Sequence, residues 1–327
     1  MTIKPPITVD RTSSFSKYNF AYKIEYLLDL CFLAGPGVAV LALALAVYAF
    51  WTGSPLLGAL AVIVLLGALV VSYGRYIAPW QLRTTHLDIK SAASVDAASG
   101  TAAHPLRFVF FSDLHLARIK KRDWIQKVVD TVNAEKPDVV LIGGDFAGVM
   151  GDSRFEDVLA PLSQLHAPRG VYAILGNHDI GVPGIDHSPE LEDALHGVGA
   201  RLLRNDCVQL SEQVQLISAD ELWSGDSDLD KAFAHATAPR RVFLGHNPDL
   251  MLHMQPNYTA DLFIFGHTHH GQIHLPVLPA LAVPIKSEFY RGTFNTPNGK
   301  VYVSSGVGEG NSPIRINTWP EIVVFDV

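Results

Sequence analysis

The chain has 327 residues, 48% of them hydrophobic, and 25 Lys and Arg against 32 Asp and Glu give a formal net charge of −7. That length supports a sizeable core, and the acidic balance excludes the global basic field that recruits nucleic acid, so no nucleic-acid partner is expected. The cysteines Cys31 and Cys207 lie far apart in unlike surroundings, which argues against a disulfide framework and fits a reducing compartment.

Residues 1–27 are polar and mildly basic, with Lys4, Arg11, Lys17 and Lys23, and read as an N-terminal cytoplasmic segment. From Leu30 to Gly74 there is no Asp, Glu, Lys, Arg or His. An uncharged run of about 45 residues is about twice what one membrane-spanning helix needs. The turn signal Trp51-Thr52-Gly53-Ser54-Pro55 divides it, which predicts two spans, about 28–51 and 56–78, in a transmembrane region over residues 28–80. Tyr48, Trp51, Tyr73, Tyr76 and Trp80 fall near the expected ends, where aromatic belts belong. A cleaved signal peptide would have an apolar core of only about 7–15 residues. A helical hairpin buried in a soluble core is the other alternative. Lys17, Lys23, Arg75, Arg83 and Lys90 flank the pair, and its turn carries no basic residue. The positive-inside rule then predicts a multi-pass inner-membrane protein with its downstream domain in the cytoplasm.

Residues 81–105 read as a linker, rich in Ala and Ser from Ser91 onward. The chain then alternates. Leu106–Phe111, Val139–Ile142 and Val171–Leu175 are predicted strands, and Trp124–Ala134 and Phe155–Leu165 predicted helices, the first with Trp124, Val128, Val129 and Val132 on one face. Further strands are predicted at Val208–Leu210, Val214–Ser218, Arg241–Leu244, Leu262–Phe265, Lys300–Ser304 and Ile322–Val327. The alternation indicates a layered α/β fold.

The chemistry concentrates at the strand ends. Leu106–Phe111 runs into Ser112-Asp113-Leu114-His115, and Val139–Ile142 into Gly143-Gly144-Asp145. Val171–Leu175 runs into Gly176-Asn177-His178-Asp179, Arg241–Leu244 into Gly245-His246-Asn247, and Leu262–Phe265 into Gly266-His267-Thr268-His269. In an open α/β sheet the carboxyl ends of the strands converge on the binding crevice, so five loops bearing Asp, Asn and His should meet in one place. One such loop would be weak evidence, since a lone strand-end histidine is usually just hydrogen-bonded. Five in one chain are not an accident of composition.

This ordered set resembles the calcineurin-like metallophosphoesterases, over about residues 106–327. The passage from Ser305-Gly306-Val307-Gly308 through Pro313-Ile314-Arg315 to Pro320-Glu321-Ile322 resembles, more loosely, their membrane-tethered bacterial branch. The resemblance implies a four-layer α/β/β/α metallophosphoesterase sandwich over 106–327, here preceded by an N-terminal transmembrane helical hairpin. It implies that Asp113, His115 and His269 hold one divalent metal ion, that Asn177, His246 and His267 hold another, and that Asp145 bridges them. Oxygen and imidazole donors without thiolate suit Mn, Fe or Zn and do not choose among them. Two such cations neutralise phosphate charge and turn a bridging water into hydroxide near neutral pH. His178 resembles the family histidine placed to protonate the leaving oxygen; the alternative is a histidine that only orients phosphate.

The expected activity is hydrolysis of a phosphodiester or pyrophosphate bond in a lipid-linked or nucleotide-lipid (UDP-diacylglucosamine-like) substrate at the membrane. A phosphomonoesterase or phosphoprotein phosphatase, and a non-catalytic phosphate-binding membrane adaptor, are the alternatives; no protein partner is identifiable. The soluble lipid-A-pathway pyrophosphatases of this superfamily tend to carry Arg where His178 stands. His270, Arg291 and Arg315 are candidate substrate contacts, His270 otherwise facing solvent. Arg118, Lys120, Lys121 and Arg122 form a basic run that could touch anionic headgroups or simply start a solvated helix. The apolar, proline-punctuated segment Leu275–Ile285 could form a lipid-facing lip or an ordinary buried strand pair.

Overall fold

The computed structural model describes residues 32–89, 105–116, 120–148, 154–182, 184–275, 283–310 and 312–327. The expected N-terminal segment, most of the linker, Arg118 and most of the proline-punctuated segment lie outside the described residues.

Among the described residues two helices come first, α1 (Gly35–Trp51) and α2 (Pro55–Tyr76). Pro55 fits the first turn of α2, where its missing N–H has no partner to lose. A side chain at Gly35 would meet Ser72 and one at Gly58 would meet Ala49, so the helices run antiparallel. Ala39, Ala42 and Ala49 of α1 and Ala61 and Ala68 of α2 are buried, while Leu41 (72% exposed), Phe50 (86%) and Leu56 (84%) point away. Small residues at the seam and large apolar ones outside is the reverse of a water-soluble helix pair. Pro55–Trp80 is long and apolar enough to cross a membrane. The 17 residues of α1 stand at the lower limit of about 17–25 for a span.

The expected linker starts as a strand. Arg83–Leu87 (β1) pairs in parallel with Glu321–Asp326 (β12), at the edge of the first sheet. Its partner is the far end of the chain, so no local pattern announces it. The other strands of that sheet are β2 (Arg107–Phe111), β3 (Val139–Ile142), β4 (Val171–Ala173) and β5 (Ala200–Leu202), in the order β1-β12-β2-β3-β4-β5. β2 to β5 are mutually parallel and β12 is antiparallel to β2. The second sheet contains β6 (Asp206–Gln209), β7 (Val214–Ser218), β8 (Arg240–Leu244), β9 (Leu262–Phe265), β10 (Gly292–Thr296) and β11 (Gly299–Val303), in the order β10-β11-β9-β8-β7-β6. Its central strands β7, β8, β9 and β11 are parallel.

Alternating side chains build the layers. In β2, Phe108 and Phe110 enter a core between the sheets, with Leu141, Leu216, Val242 and Ile264. Val109 and Phe111 face the other way, against α3 (Arg122–Ala134), α4 (Phe155–Leu159) and α5 (Ser188–Gly197). In β9, Leu262 and Ile264 face inward, and Phe263 and Phe265 pack outward with Ala232 of α6 (Leu229–Phe233). Each central strand is covered on both faces, which is why these strands read as unbroken apolar runs. The result is the four-layer α/β/β/α sandwich. The predicted helix Phe155–Leu165 stops being α-helical at Leu159 and continues as a 3-10 turn over Ala160–Gln164. Pro161 has no N–H for the α-helical ladder. Phe108 is fully buried and stacks on Phe325 at 5.1 Å. Phe108→Ala should cost about 3–5 kcal/mol, readable as a lower denaturant midpoint with unchanged m-value.

Candidate metal centre

The structure brings the seven predicted donors and His178 to one place. Asp113 and His115 follow β2, Asp145 follows β3, Asn177 and His178 follow β4, His246 follows β8, and His267 and His269 follow β9. β2, β3 and β4 are mutually parallel in one sheet and β8 and β9 in the other, and contacts between their loops bring the carboxyl ends to one rim. Three groups of donors lie within 4.8 Å internally: Asp113 with His115 and His269, Asp145 with His246 and His267, and His115 with Asp145 and His178. Asp145 joins them: its Oδ2 is 3.4 Å from His115 Nε2 and 3.2 Å from His246 Nε2. Asn177 turns its Oδ1 to 3.2 Å from His246 Nε2, because its amide nitrogen donates to the Val182 carbonyl at 2.8 Å.

The backbone is bent to present these groups. Asp113 (φ 57°), His115 (φ 40°), Asp145 (φ 55°), His267 (φ 69°) and His269 (φ 50°) are all left-handed. For residues with a Cβ such a conformation costs on the order of 1–3 kcal/mol and survives only where the surroundings impose it. Close approach does the imposing. At Gly144 (φ +86°) a Cβ would lie 2.5 Å from Gly176 N, and at Gly266 it would strike the Asp113 carboxylate. Asp179 fastens two of the loops, accepting the Ala147 N–H at 2.7 Å and the Gly176 N–H at 2.8 Å.

The histidines are set with Nε2 inward. His246 Nδ1 donates to the Gly143 carbonyl at 2.8 Å, and His115 and His267 are tied to the backbone of Ala147 and Pro284. Such anchoring fixes both tautomer and ring orientation. Burial lowers His115 and His267 to about 3 and pushes His269 well below its ordinary range. These neutral rings keep their lone pairs, and His115 Nε2 and His269 Nε2 face each other at 3.0 Å. The carboxylates differ. Burial and the neighbouring Asp145 push Asp113 up to about 6. Burial also works against Asp145, yet His246 and His178 hold it well below its usual value. Burial works against the charged form of His246 as well, but Asp145 and Asp113 outweigh it and raise the group to about 10. Opposed imidazole lone pairs beside two buried carboxylates call for positive charge, which the His246 proton supplies here and a divalent cation would supply in its place, since imidazole nitrogens and carboxylate oxygens are donors that such a cation takes. The residues present therefore fit divalent metal.

The other predicted contacts sit elsewhere. His270 neither reaches toward the donors nor faces solvent: it is buried, donates from Nε2 to the Val303 carbonyl at 2.7 Å, and lies 3.9 Å from Glu321. Arg315 is fully buried, its Nε on Glu309 at 2.9 Å and its NH2 on the carbonyls of Ser305 and Gly306, so an internal role replaces the expected substrate contact. Arg291 is half-buried just before β10, where its charge is felt by His270 and Tyr302. Lys120 is neither a headgroup contact nor solvated; it is buried on Glu309 at 2.7 Å and on the Val307 carbonyl at 2.8 Å. One further buried acid lies outside the sequence motifs. Glu221 is buried, its Oε2 accepting the Trp223 and Ser224 N–H groups, and its Oε1 has no partner among the described residues. Burial raises it to about 7 despite the His246 charge nearby, and Trp223 packs edge-on against His267 at 4.8 Å. It follows β7, so the strand-end rule that found the donors would have found it too.

Comparison with known proteins agrees with this geometry. Residues 106–271 match the calcineurin-like phosphoesterase family. The metallophosphoesterase YkuE of Bacillus subtilis is 30% identical over 260 residues, covering 77% of this chain and 88% of its own. The phosphodiesterase YaeI of Escherichia coli is 31% identical over 232 residues, covering 69% and 83%. The UDP-2,3-diacylglucosamine pyrophosphatase LpxG of Chlamydia muridarum is 29% identical over 281 residues, covering 68% and 83%. With the sandwich and the cluster of metal-type donors in place, the chain belongs to the calcineurin-like phosphoesterase family of metal-dependent hydrolases.

Proposed function

We propose that residues 106–327, with β1 added at the sheet edge, form a hydrolase that cleaves a phosphodiester or pyrophosphate bond of a lipid-linked or nucleotide-lipid substrate. Residues 28–80 hold it in the membrane as two spans, with the catalytic domain on the cytoplasmic face. The convergence of seven oxygen and imidazole donors at one rim, around a single shared carboxylate, carries this reading. Asp113, His115 and His269 would hold one cation, Asn177, His246 and His267 would hold a second, and Asp145 would serve both; Mn, Fe or Zn suits this donor set. When bound, such ions neutralise phosphate charge and make water acidic enough to react near neutral pH.

The protein's own groups do the rest. His178 is half-buried, its ring 5.0 Å from that of His115, and its backbone N–H donates to Asp145 Oδ1 at 3.0 Å. That bond fixes the loop, leaving the imidazole to give its proton to the departing oxygen. The similarity to relatives named for phosphodiesterase and for UDP-2,3-diacylglucosamine pyrophosphatase activity supports the proposed bond type and the lipid-linked class. The large apolar side chains exposed on α1 and α2 support the membrane location.

Detergent-purified full-length protein with Mn²⁺ should hydrolyse a bis(aryl) phosphate faster than an aryl phosphate. It should also release nucleoside monophosphate from a diacylated UDP-sugar. Faster monoester cleavage with no attack on either diester or pyrophosphate would sink the proposal.

A further inference from the structure

The helix pair ends inside the catalytic domain. The Gly74 carbonyl of α2 accepts the Arg315 N–H at 2.9 Å. A Cβ at Gly74 would lie 2.9 Å from the Arg315 carbonyl oxygen, 2.9 Å from Ile316 and 3.2 Å from Ile314, so the backbones are in direct apposition. Beyond it, Trp80 meets Trp124 edge-on at 5.6 Å, and its carbonyl accepts the Lys127 ammonium at 2.8 Å. Arg83 N–H donates to the Pro320 carbonyl at 2.8 Å, and its guanidinium lies 3.5 Å from the Trp319 ring centroid. The exit of the helix pair thus holds the segment 314–320 through Gly74 and Arg83, and α3 through Trp80.

The chain just before that grip packs against the metal centre. Val307 N–H donates to the Ser112 carbonyl at 2.9 Å and Gly308 N–H to the Asp113 carbonyl at 2.7 Å. Gly306 (φ +66°) comes so near that its Cβ would lie 2.7 Å from Asp113 Cβ, and a Cβ at Gly310 would lie 3.5 Å from His269 Nε2. Arg315 links the two halves: its backbone is on Gly74, and its guanidinium is on the carbonyls of Ser305, Gly306 and Gly308. A path of direct contacts runs from α2 through Arg315 and Gly306 to Asp113.

We infer that the end of α2 is a structural member of the metal centre. Docking of Gly74 on Ile314–Ile316 holds the Gly306–Gly310 backbone against Asp113 and His269, so helix pair and centre form one body. The centre then meets phosphates at one fixed height above the bilayer, those of lipid headgroups in the same membrane. That last consequence rests on the membrane location proposed above; the coupling of Gly74 to Asp113 does not.

The test uses full-length protein in phosphatidylethanolamine–phosphatidylglycerol nanodiscs and compares Gly74→Leu, Gly74→Ala and Gly67→Leu. Gly67 is in the same helix, and a Cβ there meets nothing within 4 Å. Calorimetry should show Mn²⁺ affinity weakened about 10- to 100-fold in Gly74→Leu, the usual scale when support behind a metal ligand is lost. Gly74→Ala should show a smaller loss and Gly67→Leu none. Hydrogen exchange at the Val307 and Gly308 amides should accelerate in the same order. Wild-type affinity and exchange in a folded Gly74→Leu protein overturns the inference; should that variant not fold, Gly74→Ala decides by the same two readings. Failure of the hydrolase or membrane proposal is read separately, as a wild-type protein that cleaves no phosphate bond or partitions into water.

Discussion

Asp145→Asn is expected to lower kcat/KM for a bis(aryl) phosphate about 10³-fold or more, because several kcal/mol of transition-state stabilisation depend on a carboxylate shared by both donor sets. The substitution preserves shape. The asparagine carbonyl can still accept the His178 N–H that Asp145 Oδ1 accepts at 3.0 Å, so the loop stays in place. What disappears is the negative charge, 3.4 Å from His115 Nε2 and 3.2 Å from His246 Nε2. Inductively coupled plasma mass spectrometry should show reduced metal content after dialysis, with the thermal transition retained. A variant that keeps both full metal content and wild-type turnover would remove Asp145 from the centre. A variant that loses turnover while a membrane-linked phenotype persists in cells would favour a phosphate-binding adaptor over an enzyme.

His178→Ala is expected to lower kcat by about 10²- to 10⁴-fold on a substrate with an alkoxide leaving group, the usual worth of a positioned proton donor. On a p-nitrophenyl ester the loss should stay near tenfold or less, because that leaving group departs without a proton. Metal content should not change. This pattern separates two roles that geometry allows, since His178 also lies within 4.8 Å of His115 and Asp145 as a ligand would. Exposure favours the proton donor: His178 is half-buried, whereas His115 and Asp145 are buried. Equal losses on the two substrates, together with lost metal, would make His178 a ligand and leave the leaving group without its acid.

Much of the centre is legible in the sequence because it obeys one local rule repeated five times. A short apolar strand stops, a glycine or serine lets the backbone close in, and a donor follows. The central strands β3, β7 and β9 have the predicted limits, Val139–Ile142, Val214–Ser218 and Leu262–Phe265. The strands that went unread are β1, β5 and β10. Each is at or beside a sheet edge, short or only half-covered, so its composition is not forced to be apolar. The arginine and histidine assignments diverged for another reason. Arg315 and His270 are polar residues in motif positions, and residue type alone does not say whether a polar group meets a ligand or satisfies buried carbonyls.

The sequence by itself determined the layered α/β class, the long uncharged stretch ahead of it and the donor set, because hydrophobic periodicity and strand-end chemistry are written locally. Only the tertiary structure decided that Arg83–Leu87 joins a sheet, that Arg315 and Lys120 are internal, that Glu221 is buried beside the donors, and that α2 ends against the segment bearing Gly306. Each of these depends on contacts between residues far apart in the chain. Pairing of that kind is fixed by complementary packing and by the need to satisfy every buried polar group, neither of which leaves a local mark.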